Sequence, residues 1–185
     1  MEYFDVVDEY GRPTGETVSR EKAHRDGVRH RTAHVWVTRP SGKGTDILLQ
    51  KRSMDKDSFP GLYDTSSAGH VPAGEEPLTS ALRELAEELG IHGEPKDLEY
   101  AGTFLNRYEK EFRGKLFRDD EVTFVYVFLR PVEIGDLTLQ ESEVDEAKWF
   151  DLEEVWNEIQ TDRTRFCVPP EGLNVLRRYL GKHAE

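Results

Sequence analysis

GHVPAGEEPLTSALRELAEELGI, residues Gly69 to Ile91, is the stretch that decides the reading of this chain. Its second half places Glu84, Glu87 and Glu88 at relative positions 0, 3 and 4. At about 100° per residue of α-helix these carboxylates lie within about 100° of one another. Leu78, Ala81, Leu82, Leu85 and Leu89 centre roughly a third of a turn away and would face a core. Pro77 suits a first helical turn, and Gly90 the position just past the last. The expected element is a helix anchored by leucines that presents acids beside them.

Helix stabilisation explains that acidity poorly. Glu84 and Glu88 are like charges at i,i+4, which costs about 0.2–0.5 kcal/mol on an isolated helix. Arg83 ahead of Glu87 is the weaker orientation of an ion pair. A divalent cation would neutralise the crowd, and rigidly held oxygen donors suit Mg²⁺ or Mn²⁺.

The full spacing is Gly69, five residues, Glu75, seven residues, then Arg83-Glu84-Leu85-x-Glu87-Glu88-x-Gly90-Ile91. It resembles a complete Nudix box, with every fixed position filled. The resemblance implies an α/β/α sandwich with a mixed β-sheet between helices, and a divalent-metal-dependent pyrophosphohydrolase using Mg²⁺ or Mn²⁺. It makes Glu87 and Glu88 the first metal ligands, with the backbone carbonyl of Gly69 added. Glu84 becomes the base or a further ligand, Arg83 orients Glu87, and Glu75 braces the loop and the helix start. The chemistry is coherent, because a diphosphate repels an attacking water. Divalent cations screen that charge, and a carboxylate within reach can accept the proton.

At 185 residues the chain is expected to be a single domain, residues 1–185, with a proper core. A hydrophobic share of 36% with 3 Trp, 9 Phe and 7 Tyr argues for a globular chain rather than a disordered one. The net charge of −12 argues against nucleic acid or an anionic membrane as the main partner. Anionic small molecules remain open, because bound cations reverse the local sign of an acidic site. The lone Cys167 excludes an internal disulfide framework and fits a reducing cytoplasm. No secretory signal is read in MEYFDVVDEYG, and the apolar run Phe124 to Leu129 is too short to span a bilayer.

Outward from the box, residues 2–18 alternate around Tyr10-Gly11-Arg12-Pro13 as strand and turn. Ser19 is placed to cap a short helix to Arg25, closed by Gly27. Strands are expected at Ala33–Thr38, Ile47–Lys51, Leu98–Asn106, Val122–Arg130 and Ala147–Phe150. The charged segment Arg107–Asp120 reads as a mobile loop or hairpin tip over the site. Leu152–Ile159 and Gly172–Leu180 read as amphipathic helices, separated by the breaking pair Pro169-Pro170.

Arg52 and Lys56 precede the box and are natural donors to phosphate oxygens. Asp119-Asp120-Glu121 enters a strand, where Glu121 and then Asp119 are favoured as further metal ligands because they share a side in an extended chain. Tyr63, Phe104, Tyr108 and Phe112 are aromatic groups that could stack on a base.

Beyond the box, VVDEYGRPTG, AHRDGVRHRTAHVWV, LLQKRSMDKDSFPGLYDTSSAGHV and DDEVTFVYVF resemble the isopentenyl-diphosphate isomerase-like branch of the superfamily. That likeness makes Arg52 and Lys56 diphosphate binders and Asp119 and Glu121 metal-site acids. It suggests His70, His30 and His24 as ligands of a second metal, although the spacing from His24 to His30 is one residue short. The isomerase's catalytic cysteine falls at Ala68, which can neither move a proton nor act as a nucleophile. The hydrolytic glutamates are complete. Hydrolysis of a small-molecule diphosphate is therefore expected, in a chain that by family likeness forms a homodimer. Isomerisation and a non-catalytic metabolite-sensing module are the alternatives.

Overall fold

The computed structural model describes residues 2–182. Its centre is a seven-stranded mixed sheet built from β3 (His30–Ser41), β4 (Gly44–Arg52), β5 (Tyr63–Asp64), β6 (Ser67–His70), β7 (Leu98–Phe112), β8 (Lys115–Phe128) and β9 (Val144–Asp151). The main path runs β5-β4-β3-β8-β7, with β6 added to β3 and β9 to β4. β3 and β8 are parallel; the other pairings are antiparallel. A separate hairpin, β1 (Tyr3–Val7) with β2 (Pro13–Ser19), leads into α1 (Arg20–Asp26).

Period-two alternation sorts the sheet's side chains between two faces. Ala33, Val35 and Val37 of β3, Leu48 of β4, and Tyr126 and Phe128 of β8 meet Ala81, Leu85 and Leu89 of α2 (Pro77–Leu89). Their neighbours Trp36, Ile47, Leu49, Val125 and Val127 form the other core with α3 (Leu152–Thr161) and α4 (Pro170–Lys182). The result is the expected α/β/α sandwich. Pro170 does not merely break the chain: it opens α4, where its missing N–H costs nothing. Ser19 caps α1 through Lys22 N, and Gly27 closes it in the left-handed region at φ 69°.

Of the two readings of Arg107–Asp120, the structure shows the hairpin rather than the mobile loop: β7 and β8 stay paired out to Phe112 and Lys115. Arg113 and Gly114 form the turn, with φ 49° and 77°, the geometry that suits the twist of a two-residue hairpin. Charged residues on both strands of this ribbon masked its alternation in the sequence.

The N-terminal hairpin clasps the box loop. Asp5 accepts from Arg31 Nη2 and Gly74 N at 2.9 Å each, and Arg31 also reaches the Glu75 carbonyl at 3.0 Å. α2 begins at Pro77 and ends at Gly90, whose φ of 71° permits the closing bond to Ala86 O. Leu85 is fully buried beneath it. Replacing Leu85 with Ala is expected to cost about 2–5 kcal/mol through lost burial and a residual cavity, read as a lower midpoint in urea unfolding.

Candidate active site

α2 lies against β6, so its inward acids face the strand's small residues. Glu84 rests on Gly69: a Cβ added there would sit 2.1 Å from Glu84 Cδ. Any larger residue at this position would push the Glu84 carboxyl out of its place. One turn on, Glu88 is only 6% exposed, and its Oε2 accepts from Gln50 Nε2 and Ala68 N, each at 3.1 Å. Burial, then the charge of Glu84, pushes the Glu88 carboxyl up to about 8, against the pull of its hydrogen bonds. Burial also raises Glu84, opposed by Arg83. Arg83 Nη1 donates to Glu84 at 2.7 Å and to Glu87 at 3.3 Å, while its Nη2 lies 3.7 Å from Glu75 Oε2. Glu75 in turn accepts from the Ser80 hydroxyl at 2.8 Å. Glu75, Glu84, Glu87 and Arg83 thus form one connected group, with Glu87 its most exposed carboxylate.

A second group stands beside it. His24 on α1, His30 on β3, His70 on β6 and Glu121 on β8 offer ligand atoms that all lie within 4.8 Å of one another. His24 Nδ1 is 2.9 Å from Arg20 O, and His30 Nδ1 is 2.8 Å from Val28 O. A carbonyl only accepts, so both rings carry their proton on Nδ1 and turn a bare Nε2 inward. His24 Nε2 is 3.2 Å from His70 Nε2. Glu121 Oε1 is 3.8 Å from His30 Nε2 and 3.7 Å from His70 Nε2. Asp119 Oδ1 lies 3.7 Å from His24 and 3.9 Å from His30. Burial lowers all three histidines, His24 to about 3, and raises Asp119 and Glu121.

His30 Nε2 and Asp119 Oδ1 are buried with no hydrogen-bond partner. Such atoms are costly unless something satisfies them, and neutral imidazoles facing carboxylates have the donor character of a divalent-cation site. Hydrogen bonds from the Nδ1–H groups to the carbonyls of Arg20 and Val28 orient the rings, as outer partners of ligating histidines do. The residues therefore fit a metal. The short spacing from His24 to His30 is no obstacle, because α1 carries His24 back over the strand.

Glu84, Glu87 and Glu88 of the first group and His24, His70, Asp119 and Glu121 of the second line one cleft of about 1270 Å³. Asp119 and Glu121 do share a side, while Asp120 points away to Arg29 at 2.7 Å. Arg52 and Lys56 also line the cleft. Arg52 is already committed to Asp64 at 3.1 Å and to the Ser58 carbonyl at 3.0 Å, and Lys56 is ion-paired with Glu143. Tyr108 and Phe112 reach the cleft wall, where both rings meet Phe59. Tyr63 and Phe104 do not serve there. Tyr63 packs on Phe150 and Phe166, and Phe104 belongs to the core beneath Gly172. Cys167, remote in sequence, comes to the cleft wall, its sulfur 3.5 Å from Tyr63 O. Burial and Asp64 raise its thiol well above the ordinary range.

Gln50 and Asn106 are the residues that sequence reasoning missed. Gln50 sits 2% exposed on the face of β4 that carries Leu48, and Asn106 donates to Glu121 Oε2 at 3.0 Å. A neutral polar residue at an inward position of LLQKR was the available signal for Gln50.

Glu88 makes a pH dependence. Unfolded, it ionises from about 4.5; folded, it keeps its proton to about 8. In that window the unfolded state binds fewer protons, so this group's contribution to stability declines as pH rises. With chelator present, Glu88→Gln is expected to gain denaturant midpoint relative to the parent protein between those pH values. Excess Mg²⁺ is expected to reverse the ranking at the upper end.

The chain matches the NUDIX domain family over residues 28–167. It is 34% identical over 187 residues to the uncharacterised Nudix hydrolase YfcD of Escherichia coli strain K12, covering 100% of this chain and 89% of that protein. It is 42% identical over 158 residues to Nudix hydrolase 3 of Arabidopsis thaliana, covering 84% of this chain. The match spans only 20% of that longer relative. The crystal structure of DR0079 from Deinococcus radiodurans superposes with a TM-score of 0.66 at 17% identity, covering 95% of this chain and 98% of that one, which is a likeness of fold. Among the described residues no helix is long and apolar enough to cross a membrane. With the box filled and its acids gathered on one cleft, the family match over most of its length places this chain in the Nudix family.

Proposed function

We propose that the protein hydrolyses the diphosphate bond of a nucleoside diphosphate derivative or another small organic diphosphate, by water attack at phosphorus, with Mg²⁺ or Mn²⁺. The observation that carries this reading is the contact of Glu84 with Gly69 beside the buried Glu88, both opening on the cleft. Glu84, Glu87, Glu88 and the Gly69 carbonyl would hold the activating cation. That cation supplies charge neutralisation at the diphosphate and makes water easier to deprotonate. Gln50 and the Ala68 amide both donate to one oxygen of Glu88 and fix its rotamer. Arg83 holds Glu84 and Glu87 in register, and Glu75 steadies Arg83. Glu84, raised by burial, is the carboxylate suited to take the proton from the attacking water. Lys56 becomes a phosphate donor when the substrate's oxygens displace Glu143, whereas Arg52 shapes the loop through Ser58 and Asp64.

His24, His30, His70 and Glu121, with Asp119, would hold a second and more tightly bound cation. The same histidine cluster, with Cys167 on the cleft wall, keeps isomerisation of an isoprenoid diphosphate as the second reading. Against it stand the Ala68 methyl at the thiol's place and a Cys167 thiol that burial keeps protonated.

Glu87→Gln is expected to lower Mg²⁺-dependent phosphate release by about 100-fold or more across a diphosphate panel. Turnover at the parental rate would refute the assignment, and conversion of isopentenyl diphosphate to its allylic isomer without phosphate release would favour the second reading. For the histidine cluster, protein loaded with Zn²⁺ or Mn²⁺ and desalted is expected to keep about one equivalent by elemental analysis, and His30→Ala to keep none.

A further inference from the structure

The family match begins at residue 28, yet the chain ahead of it supplies His24 on α1 and, on β1, an aromatic ring that lies against the other two imidazoles. That ring is Phe4, which is fully buried. It stacks on His70 at 4.7 Å between centroids and 7° between planes, and on His30 at 4.8 Å and 11°. It also meets His24 edge-on at 6.2 Å. Val18 and Ala23 pack against it in a small core of their own. β1 is fixed along its length: Ala73 N donates to Tyr3 O at 2.8 Å, Gly74 N to Asp5 at 2.9 Å, and Val7 N to Arg29 O at 3.1 Å. Phe4 therefore cannot draw back from the imidazoles without breaking bonds on both sides of it. The three imidazoles are not held alike. His24 and His30 each donate from Nδ1 to a carbonyl. Among the described residues the His70 ring makes one hydrogen bond, between its Nε2 and His24 Nε2. Those nitrogens are the ones that would bind a cation, so that bond is lost when a cation arrives. An imidazole without such a tie turns about two side-chain torsions unless its faces are packed. One face of His70 is packed, by Phe4.

We propose that Phe4 is a positioning residue for the histidine cluster: its ring sets the plane of His70, and secondarily of His30, so that their Nε2 atoms face Glu121 before any cation is present. The inference rests on reading the cluster as a cation site and is independent of which diphosphate is cleaved. A ligand already held in place gives up little torsional freedom on binding, and that saving appears as affinity. The flat face is what matters, rather than apolar bulk. Stacked rings interact beyond the area they bury, and a leucine in the same space would fill most of it while offering the imidazole no plane to lie on. The segment ahead of residue 28 thus serves the site twice, by carrying one imidazole and by orienting another.

The test is Zn²⁺ binding to the metal-free full chain, since imidazoles suit that ion better than an all-oxygen site does. Affinity is read by calorimetry against a competing chelator for the parent, Phe4→Leu, His70→Ala and the double variant. Phe4→Leu is expected to weaken binding about 10-fold, the scale on which residues that orient metal ligands act. In the His70→Ala background the same change is expected to cost less than about 3-fold, because the ring it orients is gone. Parental affinity in Phe4→Leu overturns the proposal. So does an equal loss in both backgrounds, which would make Phe4 ordinary core packing. If the parent chain itself binds no Zn²⁺, the cation reading of the cluster fails, and the proposal with it. Should Phe4→Leu not fold, NMR of the unaltered metal-free protein decides. His70 ring protons displaced by the ring current of Phe4, from an imidazole already rigid before Zn²⁺ is added, support the proposal; an imidazole that stays mobile until Zn²⁺ arrives rejects it.

Discussion

The arrangement depends on β3 being paired along both of its edges. On one side β8 runs parallel to it and sets His30 against Glu121. On the other β6 runs antiparallel and sets Thr32 against His70 and Ala33 against Gly69. Backbone hydrogen bonds thereby fix the relative positions of three strands to within a fraction of a residue. Side chains from distant parts of the chain converge because their strands have no freedom to slide. α2 only has to pack its leucines on the neighbouring face for Glu84 to land on Gly69.

Charge is distributed unevenly around that frame. Arginines neutralise the outer acids: Arg29 takes Asp120, Arg31 takes Asp5, and Arg83 serves Glu75, Glu84 and Glu87. The innermost acids, Glu88, Asp119 and Glu121, receive hydrogen bonds or neutral histidines but no arginine. Buried carboxyls left this way resist ionisation, which is why burial dominates their upward shifts. The fold therefore stores a demand for positive charge in the cleft, which the proposed cation would relieve. This is a cost in stability of the kind that functional sites carry.

The sequence made much of this visible, and for identifiable reasons. The box declared itself because chemistry demanded several residues within one short helix, and the caps of α1 and α2 followed from local backbone rules. The two-faced strands were legible where apolar residues alternated, as in Val35-Trp36-Val37. The ribbon of β7 and β8 was obscured because lysines, glutamates and arginines occupy both of its faces, so periodicity gave no contrast. Arg52 read as a phosphate donor because charge is visible in sequence while commitment to Asp64 is not. Cys167 looked remote for a similar reason: a parallel bridge between Tyr63 and Phe166 brings the segment after α3 alongside the cleft, and no local pattern announces a contact about a hundred residues apart.

The alternation of Asp119, Asp120 and Glu121 has a consequence for how this ribbon can vary in length. Two of these carboxyl groups turn inward and the middle one turns out to Arg29. Removing a single residue between the Arg113-Gly114 turn and Asp119 would either slip the ladder or force a bulge, and a slip exchanges inward for outward side chains all along the strand. Changes that shorten or lengthen both arms together leave the parity intact. The ribbon is thus free to grow or shrink in matched rungs, while an odd count trades the cleft-facing edge for the solvent-facing one.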